Sequence, residues 1–95
     1  MDSWRKSMHT VELYERVKGL ADSMGYQVRE ENLGGIGGGA CEVAGRRCVF
    51  IDLSLSSTEQ LEQLVEALRG DEIIHTVELP DELVSLFSLP LGRAA

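Results

Sequence analysis

The sequence has no apolar run approaching the roughly 18–20 residues that a helix needs to cross a bilayer. Its amino terminus, MDSWRKSMHT, lacks the apolar core of a secretory signal. No HExxH, no CxxC and no Gly-Lys-Ser/Thr occurs anywhere. The zinc-peptidase, zinc-knuckle and Walker patterns are therefore all missing. Basic residues are scarce in the second half, where only Arg69 and Arg93 stand against nine acids. The first half balances seven basic groups against seven acidic ones, so the net charge of −7 comes from the second. Nucleic-acid binding needs a basic footprint to displace phosphate counterions, and this chain does not supply one. These absences lead to the expectation of a cytoplasmic protein that engages neither membrane nor nucleic acid.

What is present fits a single domain over residues 1–95, with frayed ends at 1–3 and 92–95. A chain of this length buries about 60–68% of its unfolded surface. The apolar share of 43% is ordinary for a globular protein and too high for general disorder.

Apolar periodicity locates the elements. Val11, Tyr14, Val17, Leu20, Ala21 and Met24 recur at three- and four-residue steps and predict a helix over 10–24, with Thr10 as N-cap and Gly25 as its stop. Trp4 and Met8 extend the stripe and would move the start back to Ser3. Tyr26 and Val28 alternate with Gln27 and Arg29, predicting a strand over 26–31. Residues 40–44 and 47–53 flank Gly45-Arg46 and read as a hairpin on a type II′ turn. In that pairing Cys41 faces Phe50, and Cys41, Val43, Cys48 and Phe50 share a face assigned to the core. Val49 and Ile51 then point the other way and need cover from a further element or a partner chain. Ser56 and Glu59 form a capping-box pattern ahead of a helix over 58–69, whose apolar stripe is Leu61, Leu64, Val65 and Leu68. Residues 73–79 read as extended, and a short helix over 81–88 follows Pro80. The expected fold is α+β in two layers. A small, three-stranded, mainly antiparallel sheet packs on two helices, and the short C-terminal helix completes it.

The run LGGIGGGAC, residues 33–41, holds five glycines in six positions. Gly35 to Ala40 matches G-x-G-x-x-A, but a dinucleotide fingerprint must lead into a helix whose N-terminus meets the pyrophosphate. Strand-type sequence follows here instead. The run reads as a connection between strands, where glycine supplies backbone angles that other residues avoid or lets another backbone approach closely. A small anion or nucleotide held by Gly34, Gly35, Gly37, Gly38 and Gly39 is the alternative. His9 and His75 lie far apart in sequence, so no metal and no cofactor is expected. Cys41 and Cys48, turned to the core and diagonal to each other, are expected to stay free thiols in a reducing compartment. Asp52, ending an apolar strand, is expected to cap or to accept hydrogen bonds from the loop that follows. No activated nucleophile with a base in reach can be assembled.

The order helix, strand, glycine link and then CEVAGRRCVFIDLSLSSTEQLEQLVEAL resembles a group of small uncharacterised bacterial proteins. It also looks like the front of ImmA/IrrE-type metallopeptidases, whose helix after the hairpin carries HExxH. The corresponding helix here, TEQLEQLVEAL, has no histidine, so the resemblance implies no zinc site and no hydrolysis. The functional expectation is a non-catalytic interaction module or small accessory subunit of a bacterial system. Its expected partner is a second copy, as in a homodimer, or another protein. The expected interface residues are Val49, Ile51, Val84, Leu86, Phe87, Leu89 and Leu91.

Overall fold

The computed structural model describes residues 3–36 and 38–88. In chain order it contains α1 (Ser3–Ser23), β1 (Gln27–Glu31), β2 (Gly39–Val43), β3 (Arg46–Asp52), α2 (Ser57–Arg69), a 3-10 turn (Glu72–Thr76) and α3 (Asp81–Ser88). The fold is α+β, as expected, with the helices gathered on one face of a three-stranded sheet.

α1 begins at Ser3, so Thr10 lies inside the helix and does not cap it. Tyr14, Val17, Ala21 and Met24 are buried along one stripe. The helix stops at Gly25, whose φ of +93° suits glycine. There the Tyr26 N–H donates to Ala21 O (2.9 Å) and the Gly25 N–H to Asp22 O (3.0 Å). These are the two bonds of a Schellman cap. The cap aims Tyr26 inward, and its hydroxyl donates to Asp71 Oδ2 at 2.6 Å. Arg47 pairs with the same carboxylate and lies over the Tyr26 ring. This cluster ties the start of β1 to β3 and to the chain beyond α2.

The sheet order is β1-β3-β2, with β1 parallel and β2 antiparallel to β3. The sheet is thus mixed, where sequence had suggested mainly antiparallel pairing. The cause is the route of the glycine run. It carries the chain from β1 past the C-terminal end of β3 to the opposite edge, leaving β3 in the centre.

The hairpin turn is also different from the expected one. Ala44 (φ +52°) and Gly45 (φ +79°) are its central residues, both left-handed, as in a type I′ turn. Gly45 accepts that conformation freely, whereas Ala44 bears a steric cost. The pairing slides accordingly, so that Val43 opposes Arg46, Cys41 opposes Cys48 and Gly39 opposes Phe50.

Val49 and Ile51 belong to the core, at 0% exposure, together with Val17 and Ala21 of α1 and Leu61, Leu64, Val65 and Leu68 of α2. The expected assignment of the two sheet faces is therefore inverted. Cys48 and Phe50 lie on the face away from the helices. The parallel pairing explains the choice. It sets Val28 beside Val49, adding a third β-branched side chain to the helix face, and sets polar Gln27 and Arg29 beside Cys48 and Phe50.

The capping box of α2 forms as expected: the Glu59 N–H donates to Ser56 Oγ and the Ser56 N–H to Glu59 Oε1. Residues 72–76 are a 3-10 turn and not an extended segment. Asp71 Oδ1 accepts from the Ile73 N–H (3.0 Å), which stabilises the turn and buries Ile74. α3 packs Leu83 into the core, and Arg69 donates to Leu86 O at 3.0 Å.

Truncating Leu64 to Ala should cost about 2–5 kcal/mol, as full burial of a leucine implies. Val84→Ala, at a half-exposed position, should change stability by no more than about 0.5 kcal/mol. Urea denaturation of both variants checks the difference.

Candidate functional site

The glycine run and the open sheet face meet at Asp52. This residue ends β3 on the face away from the helices and is fully buried. Its carboxylate is surrounded by donors. Oδ1 accepts from the Leu33 N–H (2.9 Å), the Ser54 N–H (3.0 Å) and the Ser54 hydroxyl (2.7 Å). Oδ2 accepts from the Gly35 N–H at 2.7 Å. Its own N–H donates to Gln63 Oε1 of α2 at 3.0 Å. Burial by itself would push this carboxyl up. The hydrogen bonds from Ser54, Leu33 and Gly35 outweigh burial and hold it well below the usual carboxylate range. A depressed folded-state value means that the contribution to stability is complete above about pH 4 and drains away as the pH falls toward that value.

The glycines are shaped to this end. Gly34 (φ +69°) and Gly35 (φ +86°) curl the backbone so that the Leu33 and Gly35 N–H groups converge on the carboxylate, while the Gly34 N–H between them donates to Asn32 Oδ1 at 3.3 Å. Gly38 lies against the β3 backbone: a Cβ there would sit 1.8 Å from Phe50 O. Gly39 has a φ of +132° and opens β2 opposite Phe50. Gly37 lies outside the described residues. The expected close approach of a second backbone is real, and that backbone is the chain's own β3. The loop also holds an anion, which is the chain's own carboxylate. The amides of Leu33 and Gly35, which a phosphate would need, are already engaged by a buried group.

The open sheet face carries Gln27, Arg29 and Glu31 from β1, Arg46, Cys48 and Phe50 from β3, and Gly39, Cys41 and Val43 from β2. Val43 is 44% exposed and Phe50 half-buried. The Arg29 guanidinium lies 5.6 Å from the centre of the Phe50 ring and pairs with Glu31 at 3.1 Å. Ile36, at the tip of the glycine loop, is 88% exposed.

Of the expected interface residues, Val49 and Ile51 are excluded, because both are fully covered by the chain's own helices. Val84 is 45% exposed on α3, while Leu86 and Phe87 are half-buried and pack against the core. Leu89 and Leu91 lie outside the described residues. The glycine loop, at the end of β3, and α3, packed on α2, do not form one site. Asp52 receives the expected bond from the following turn through Ser54. Its capture of the glycine loop is not foreseen by the sequence reading; the signal the sequence does carry is an acid ending an apolar strand in a chain that also holds a glycine run. Among the described residues no helix is long and apolar enough to cross a membrane. Comparison with models of protein families, with curated proteins and with solved structures finds no match for this chain.

Two outcomes follow for the loop. In Asp52→Ala, the Leu33 and Gly35 amides lose their acceptor, so their hydrogen exchange should accelerate strongly while amides within α1 stay protected. Gly38→Ala should cost at least about 1–3 kcal/mol through overpacking against Phe50 O, read as a lowered urea midpoint.

Proposed function

We propose that this protein is a non-catalytic interaction module, a small accessory subunit, and that it pairs with a second copy through the open face of its sheet. The observation that carries this reading is the one-sided layering: Cys41, Val43 and Phe50 adjoin on a face that, among the described residues, no helix covers. Single exposed apolar side chains are ordinary on a surface, whereas a contiguous set on an uncovered sheet is the kind of surface that associates.

Charge supports the choice of a second copy and of this face. The acids of the second half lie largely on the helix layer, with Glu59, Glu62 and Glu66 on α2 and Asp81 and Glu82 on α3. Two copies meeting through their helices would set like charges together. Meeting through their sheets keeps those acids outward and places apolar area with the Arg29–Glu31 pair and Arg46 between the copies. Face-to-face sheets need only about 10 Å of separation, which Val43 and Phe50 can fill. α3 is the weaker surface, because Leu86 and Phe87 are already committed to the core.

Multi-angle light scattering at high micromolar concentration should give twice the chain mass of 10.5 kDa. Val43→Asp should return the mass to that of one chain, and Val84→Asp should leave the dimer intact. A monomer at every concentration would contradict the reading. Thermal-shift measurements with inorganic phosphate and nucleotides should show no stabilisation, whereas a bound ligand at 100 times its Kd would add about 2.7 kcal/mol.

A further inference from the structure

The slid register of the hairpin has a chemical result. Cys41 on β2 and Cys48 on β3 are direct cross-strand partners, so their side chains leave the same face of the sheet. Both are free thiols, Cys41 exposed and Cys48 buried at 1% exposure. In a two-residue hairpin the closing pair, here Val43 and Arg46, is hydrogen-bonded, and the pair two positions along is hydrogen-bonded as well. That places the two cysteine Cα atoms about 5.5 Å apart, inside the range of about 4.4–6.8 Å that a disulfide spans. The Cys48 thiol has only weak partners to give up, Arg46 O at 3.7 Å and Gln27 Oε1 at 4.0 Å.

We infer that Cys41 and Cys48 form a redox dithiol site that closes to an intramolecular disulfide by exchange with a small-molecule disulfide of the oxidised-glutathione class. Cys41, the accessible thiol, is the attacking group. Its thiolate displaces one glutathione thiolate and forms a mixed disulfide. Cys48 then loses its proton to solvent, and its thiolate attacks the Cys41 sulfur and releases the second glutathione. Two protein thiols and one small disulfide become one protein disulfide and two small thiols. The bridge would fasten β2 to β3 and remove the Cys48 thiol from Gln27 of β1, altering the open face at its centre. Pairing through this face would cover Cys41, so the exchange belongs to the single chain and is tested at low concentration and in Val43→Asp, where its outcome does not depend on self-association.

The test is incubation of the folded, full-length protein with oxidised glutathione, followed by intact-mass and peptide analysis. The expected product has lost two hydrogen atoms, titrates no free thiol where the reduced protein titrates two, joins the peptides of Cys41 and Cys48, and reverts with dithiothreitol. Cys48→Ser should stop at a stable glutathione adduct on Cys41, and Cys41→Ser should not react while folded. Wild-type protein that keeps a glutathione adduct on Cys41, that crosslinks between chains through Cys41 alone, or that keeps both thiols would overturn the inference without any need for the variants.

Discussion

The Asp52 carboxylate is the point on which the sheet end is built. A buried charge without partners is expensive, and this one accepts from two segments, the glycine loop and the Ser54 turn, while the residue's own N–H donates to a third, at Gln63 Oε1 of α2. The first segment delivers β2 to the far edge of the sheet. The second turns the chain from β3 toward the start of α2. The third fixes that helix against the strand it came from. The topology β1-β3-β2 thus depends on a loop that can cross the end of β3 closely, which the open backbone angles of Gly34 and Gly35 and the missing Cβ of Gly38 make possible.

With the sheet end fixed, the rest of the molecule sorts into a covered face and an open one. Val28, Val49 and Ile51 meet α1 and α2, and the three helices carry eight of the sixteen acidic residues. Two further clasps hold this layer to the sheet. The Tyr14 hydroxyl donates to Glu30 at 2.6 Å, with Lys18 on the same carboxylate, and the Tyr26 hydroxyl and Arg47 share Asp71. The hydrogen bond from Tyr14 holds Glu30 below its ordinary range, as that from Tyr26 does Asp71. The open face receives what is left: a short apolar row, Gln27, the Arg29–Glu31 pair, Arg46 and two opposed thiols. Its composition differs from that of the acidic helix layer, and this contrast underlies the proposed pairing of sheets.

Much of the fold was legible in the sequence for local reasons. The stripe of α2 and its Ser56–Glu59 box, the stop at Gly25 and the span of α3 all follow from periodicity and capping, which depend on neighbours within a turn. The sheet was harder. Both faces of β3 are apolar, so alternation along that strand could not say which one the helices cover; the answer lay in β1, whose polar Gln27 and Arg29 stand beside Cys48 and Phe50. The turn was misplaced by one residue because Ala44 adopts a left-handed conformation that alanine rarely takes. That single displacement moved Cys41 from opposite Phe50 to opposite Cys48. The 3-10 turn at 72–76 was hidden because Asp71 caps it only with a side chain that sequence assigns equally well to a loop. The glycine run was rightly read as a connection between strands, but its anion was sought outside the chain.

The most direct measurement of this account is a carbon-13 NMR titration of the Asp52 carboxyl group, followed together with the amide signals of Leu33 and Gly35. An ordinary aspartate protonates near pH 3.9. The expected result is that Asp52 keeps its carboxylate shift through that range, with both amides unmoved, until the fold itself begins to fail in stronger acid. Protonation of Asp52 near or above pH 3.9 in the still-folded protein, with Leu33 and Gly35 exchanging freely with water, would contradict it.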